Sequence, residues 1–377
     1  MTTKANGILA APGRLALALL VLLSTGGRTA VVDPFRTADE KSEFISFSID
    51  RWYSIGRDFY RTQTQIVPTQ INPPSDGAYL GNSWEFNRAD ASINLYAMEI
   101  RPWKRLSFDT QYAAGATRDG DAVEHDWINT TQPDLITYTP SGHTFVNPSF
   151  EDYGRASIAQ NGSTSWLTTS LYFRALSTKS DTSWGDWKYR QDLDLLAGYD
   201  RYSSHYHMTQ WNQTFSAPYS LPEPAAGIIP GNDSSITMTW QGLRMGVRET
   251  VSTDFGLKAK VVLAYSPLQS YGATGYNAQA AGEGFNRFAG ASGGRPFASS
   301  SPNFIQRADG SIFDGNIGVS YSPIKMISID AGWMFVYLWS RNGREKDFLP
   351  DGTNVDQELE TVKSQRFGWY TGASLHF

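Results

Sequence analysis

"RFGWYTGASLHF", residues 366–377, is the stretch whose reading decides the fold. Phe367, Trp369, Thr371, Ala373, Leu375 and Phe377 alternate with Gly368, Tyr370, Gly372, Ser374 and His376. That period of two sends successive side chains to opposite faces of a strand. One face is apolar and ends on Phe, which is a liability on the edge of a water-soluble sheet. In the closing strand of a bacterial membrane barrel the same face meets lipid. Aromatic residues make up 14% of the chain and Gly is abundant, which suits a barrel with aromatic girdles.

The N-terminus reads as an export signal. Lys4 and Arg14 precede the nine-residue apolar run Leu15–Leu23, too short to span a bilayer as a helix. Small residues at Ser24, Gly26 and Gly27 place cleavage near residue 27, and no Cys follows to carry a lipid anchor. The expected organisation is a signal peptide at 1–27, a short segment at 28–43 and one barrel domain at 44–377. Without Lys4 and Arg14, 30 basic residues face 37 acidic ones, a net of −7 that argues against nucleic acid as a partner. The absence of Cys excludes disulfides and thiolate metal sites.

Period-2 segments predict strands over 44–61, 83–100, 104–116, 164–176, 190–212, 236–251, 255–271, 310–323, 326–341 and 366–377. Ten is an even number, as single-chain bacterial barrels have. Short turns at 101–103, 177–189, 252–254 and 324–325 alternate with long polar segments at 62–82, 117–163, 213–235, 272–309 and 342–365. Short turns belong to the periplasmic side and long loops to the outside. The predicted fold is therefore all-β: a ten-stranded antiparallel transmembrane β-barrel with long extracellular loops. Alternation turns Ile327, Ile329, Trp333, Phe335, Tyr337 and Trp339 to lipid. It turns Arg244, Arg248, Asp192, Asp194, Asp200, Lys258, Lys260 and Asp330 into a lumen narrow enough for them to pair.

Four strings, in this order and spacing, resemble the omptin family of outer-membrane barrels: "SWEFN" at 83–87, "VEHDW" at 123–127, "LLAGY" at 195–199 and "IGVSYSPIKMISIDAGWMFVYLWSRNG" at 317–343. The resemblance runs over about residues 44–377. It implies a protease that holds a water between an aspartate pair and an Asp–His couple on the opposite wall, within a superfamily that also includes adhesins. Carried over residue by residue, the acid pair is Glu124 and Asp126, with Glu in place of the first Asp. The opposite wall falls at 264–280, "AYSPLQSYGATGYNAQA", which holds neither His nor Asp.

Histidine is the usual general base near neutral pH, and the chain has five: His125, His143, His205, His207 and His376. Alternation from Leu195, Ala197 and Tyr199 puts His205 and His207 on the outward face. His125 points away from the acids beside it, His376 lies at the far end of the barrel, and His143 is in a long loop. Asp119–Gly120–Asp121 lacks the further spaced ligands of a calcium loop. The reading is a non-proteolytic surface barrel with a binding, adhesion or structural role. A divergent endopeptidase using Glu124 and Asp126 is the first alternative, and a small-solute porin the second. No metal or organic cofactor is expected. The expected partners are outer-membrane lipid, lipopolysaccharide held by cations such as Arg61 and Arg88, and an extracellular glycan or protein.

Overall fold

The computed structural model describes residues 30–31, 44–65, 71–72, 79–129, 135–138, 143–146, 153–184, 187–216, 227–228, 233–278, 302–348 and 354–377. The signal peptide expected at 1–27 falls outside them. Eleven long strand segments carry the architecture: β1 Ile45–Gln65, β2 Tyr79–Asn87, β3 Ala91–Trp103, β4 Leu106–Asn129, β5 Tyr153–Trp184, β6 Trp187–Ser216, β7 Asp233–Thr253, β8 Leu257–Ala278, β9 Phe304–Ile324, β10 Ile327–Phe348 and β11 Asn354–His376. Successive segments other than β2 and β3 pair antiparallel, and β11 pairs with β1 in the register Phe367↔Ile55, so the sheet closes. Both β2 and β3 lie between β1 and β4 and form one broken stave, giving a ring of ten.

Closure leaves each stave one lipid face and one lumen face. Ile49, Ile55, Leu195, Ile329 and Trp369 are exposed on the outside, while Asp50, Trp52, Ser54, Asp58 and Tyr60 of β1 are buried inside. The charges assigned to the lumen by alternation lie there, and the arginines among them pair. Arg244 holds Asp314 through Nη2 at 2.5 Å; Arg248 reaches Asp194 at 2.8 Å and Glu99 at 3.1 Å; Arg174 reaches Asp192 and Asp194 at 3.1 Å. Pairing is what makes charges tolerable at such burial.

Several boundaries differ from the sequence reading. The strand expected at 83–100 breaks at Arg88, whose φ is +48°. Strands also run well past the expected ends: β4 continues to Asn129 and β5 begins at Tyr153, so the 117–163 loop contracts to 130–152. The turn expected at 177–189 is a hairpin that narrows to residues 185–186.

The break at Arg88 has a cause inside the barrel. Ala89 N donates to Gly56 O at 2.9 Å, and Ala89 O accepts from Arg366 Nη1 at 2.6 Å. A Cβ at Gly56 would stand 2.6 Å from Arg366 Nη1 and 2.7 Å from Ala89 O. Arg366 is completely buried; its Nε donates to Tyr202 and its Nη2 to Tyr206, which donates to Asp58. One guanidinium from β11 thus ties β1, the β2–β3 break and β6 together across the lumen.

Asp194 serves two buried guanidiniums. Asp194→Ala should lower the unfolding free energy by about 3–5 kcal/mol, measured by urea titration in micelles. Leu195→Ala, on the lipid side of the same strand, should cost far less.

Candidate functional site

The candidate acids sit on β4. Glu124 lies in register with Trp84 of β2 and Arg155 of β5, between buried Ala122 and the outer end of the strand, and faces the lumen. Asp126 is two residues further out, in register with Asn82 and Tyr153. Its side chain, and those of Trp127 and His143, fall outside the described ones.

Aromatic rings fill the lumen around Glu124. Trp84 stacks on Tyr60 at 6.1 Å and meets Trp211 of β6 edge-on at 5.3 Å. Tyr60 reaches Phe304 of β9 at 6.1 Å, and Phe86 stacks on Tyr206 at 4.6 Å. On β8, where an opposite wall was expected, Tyr271 and Ala273 point inward, and Tyr271 packs on Trp240 at 4.6 Å. Buried rings therefore span the space between the two walls from β2 to β6 and β9.

The described histidines stay away from this layer. His205 Nδ1 is 2.9 Å from Thr237 Oγ1 on the outward face, and His207 Nε2 is 2.5 Å from Asp233. His376 Nε2 lies 3.1 Å from Ser328 Oγ at the opposite end. His125 is in register with Ser83 and Gly154, on the face opposite to Glu124. No group of three metal-ligating side chains occurs among the described residues.

A second acid pair escaped the sequence reading. On β10, Trp339 is the last lipid-facing aromatic residue, and beyond it Arg341, Arg344 and Lys346 point out while Glu345 and Asp347 point in. Gln306 Nε2 donates to Glu345 Oε2 at 2.5 Å, Tyr271 OH to Gln306 Oε1 at 2.7 Å, and Gln357 to Asp347. Burial pushes the Glu345 carboxyl well above the usual carboxylate range, and the Asp347 charge adds to the shift. Burial also raises Asp347, to about 6. Of the two carboxyls, Glu345 is the more deeply buried and the one that keeps its proton. The fields of Glu124, Glu345 and Asp347 all reach the Tyr60 hydroxyl, so acids stand on both sides of that ring.

The outer surface behind Glu345 carries Arg307, Arg344 and Lys346, with Glu358 and Asp356 of β11 in register with Arg344 and Lys346. Arg307 of β9 and Arg344 of β10 are directly opposite each other in register, and Lys346 is two residues along. With Asp309, Gln241 and Ser270 they line a groove of about 850 Å³. Neither arginine, nor Lys346, has a carboxylate within ion-pair distance among the described residues. Like charges directly opposite on a sheet repel. Arg61 and Arg88, the cations expected to hold phosphate, are instead each engaged: Arg61 with Glu360 at 2.7 Å and Arg88 with Asp121 at 3.3 Å.

A closed antiparallel ring with a lipid belt, girdles and a charge-filled lumen defines a transmembrane β-barrel of the bacterial outer-membrane type. Among solved structures, the chain is similar to the outer membrane protease OmpT from Escherichia coli, with a TM-score of 0.62 at 11% identity, over 91% of this chain and 99% of that one. The translocator domain of the autotransporter NalP from Neisseria meningitidis matches at a TM-score of 0.29 and 10% identity, over 97% and 98% of the two chains. No family model and no curated protein sequence matches. The barrel is omptin-like in fold, and at 11% identity the likeness extends to fold alone.

The Glu345–Asp347 pair sets a pH dependence. Both folded pKa values lie above those of the unfolded chain, about 3.9 for Asp and 4.3 for Glu. The folded protein therefore keeps protons that the unfolded chain has released. The stabilisation is full below about pH 4 and is lost as pH rises through about 6. Glu345→Gln should reduce this loss, read as a smaller difference between melting at about pH 4.5 and at about pH 7.5.

Proposed function

We propose that this protein is exported by its N-terminal signal to the bacterial outer membrane. There it acts as a non-proteolytic surface protein, binding a glycan or protein through the hairpins that rise above its aromatic girdle. One observation carries the non-proteolytic reading: the Glu124 wall faces a packed aromatic layer, and no described imidazole shares its space. Peptide hydrolysis by a held water needs a base within hydrogen-bond reach of that water, allowing for looseness without substrate. Tyr60, Trp84, Trp211 and Phe304 offer no base and occupy the volume where a peptide and its water would sit.

The binding role rests on shape. β4, β5, β6, β9 and β10 continue as paired strands beyond the lipid belt, making a tall rigid platform for the segments between them. Surface segments on a rigid scaffold are where proteins place recognition. Lipopolysaccharide is the membrane partner in this reading: the groove of Arg307, Arg344 and Lys346 opens outward just beyond Trp339, at the level of phosphorylated head groups. An anion there relieves the repulsion between the facing guanidiniums.

Two experiments test this. The refolded barrel with lipopolysaccharide should cleave dibasic peptides no faster than its Glu124→Ala/Asp126→Ala variant; cleavage that this variant abolishes would establish the endopeptidase alternative. On a glycan array, saturable binding is expected, and a blank array would count against glycan adhesion. Arg307→Ala/Arg344→Ala/Lys346→Ala should weaken lipopolysaccharide binding about tenfold or more, because it removes all three cations that can make charge-assisted hydrogen bonds to phosphate. The packed lumen predicts no single-channel conductance in planar bilayers, so stable open channels would favour the porin alternative.

A further inference from the structure

At the end of the barrel that carries the short turns, the lumen opens into a cavity of about 160 Å³. The Arg244–Asp314 pair stands at its inner end, and Ser46, Arg101, Lys258 and His376 stand near its mouth. Short turns mark the periplasmic side, so a solute enters this cavity from the periplasm. The aromatic layer and the Arg366 cluster separate it from the outside.

Charged groups on three walls face this space without full partners. Asp50 of β1 is only 9% exposed, lines the cavity, and its Oδ1 has no hydrogen-bond partner. Asp109 of β4 lines it too and makes no hydrogen bond or ion pair among the described residues. Lys260 of β8 is the cation whose field reaches both carboxyls, yet no described carboxylate lies within ion-pair distance of it.

Their acidic neighbours are satisfied. Asp330 accepts from Ser320, from Ser328 at 3.3 Å and from Ser374 at 2.5 Å. Glu99 is held by Arg101 and Arg248, both at 3.1 Å. These three charges are directed at one cavity and have no ion-pair partner among the described residues. A buried carboxylate oxygen without a donor costs free energy, and a ligand bearing an ammonium group supplies the donor.

We propose that the cavity binds a small zwitterion of the amino-acid class, its ammonium group on Asp50 and its carboxylate on Lys260. The volume corresponds to about five waters at ~30 Å³ each, which limits the solute to the size of glycine or alanine. The site is separate from the outer hairpins and from Glu124, so it stands or falls independently of the adhesion reading.

The test is titration calorimetry on the refolded full-length barrel in detergent, with glycine and alanine as probes and methylamine and acetate as the two half-ligands. Saturable heat is expected with glycine or alanine, and at least tenfold weaker binding with either half-ligand. Asp50→Asn and Lys260→Gln should each weaken the zwitterion at least tenfold, while Lys260→Arg, which keeps the charge, retains it. Heat-modifiable gel mobility verifies that each variant is folded. Should a variant fail to fold, the comparison of whole and half ligands on the wild-type barrel still decides. The proposal is overturned if glycine and alanine give no saturable heat, if methylamine or acetate binds as tightly as the zwitterion, or if folded Asp50→Asn and Lys260→Gln bind like wild type.

Discussion

The Arg366 guanidinium, buried where four strand segments meet across the lumen, expresses the constraint on which the rest of this barrel depends. A ring of ten staves is too narrow to leave its interior to bulk water and too polar inside to pack like an oil drop. Each inward charge needs a counter-charge or a set of hydrogen bonds, and those partners must come from other staves. Arg366 takes a carbonyl from the break between β2 and β3 and two phenol oxygens from β6. The left-handed backbone at Arg88 and the missing side chain at Gly56 are the local consequences. A strand irregularity on one wall is thus set by a side chain from another.

The same constraint separates the barrel into functional levels. The middle is held by paired charges and the Arg366 cluster, and the outer lumen by rings around Tyr60 and Trp84. The two ends keep charged groups without ion-pair partners among the described residues. A groove able to hold a peptide between opposed walls needs the outer lumen open. Here the described rings around Tyr60 and Trp84 pack that level of the lumen. Fold similarity at 11% identity is understandable in these terms. Outside alternation and ring closure are demanded by the membrane, whereas the identity of the lumen filling is set by local pairing.

Alternation made the membrane half legible, because lipid on one side and a charged lumen on the other force opposite polarities at successive residues. Asp330 against Ile329, and Arg244 against Leu243 and Met245, could be assigned from sequence for that reason. Beyond the girdle, water replaces lipid, both faces become polar, and the signal fades. The outer parts of β4 and β5 therefore read as loop although they pair. The break at Arg88 was illegible because its cause, Arg366, lies some 280 residues away in the chain. Glu124 was legible as an inward acid on β4, but the rings opposite it come from β1, β6 and β9, and no local pattern announces such a meeting.

The outer end of β10 shows what sequence did contain and how it was missed. "REKDF", 344–348, reads as a solvated charge run, yet its charges alternate in sign with a period of two. After the left-handed residue Asn342, at φ +45°, the strand resumes with Glu345 and Asp347 inward and Arg344 and Lys346 outward. A random surface segment has no reason to sort its charges by parity; a strand with a lumen on one side and the outer surface on the other does. Sorting also separates two energetics on one strand. Inside, two acids are close enough that one keeps its proton, while outside, facing cations repel until an anion lies between them. Glu345 and Lys346 are adjacent in sequence but answer to different solvents, and charge sorted by parity is the physical mark of a strand standing between them.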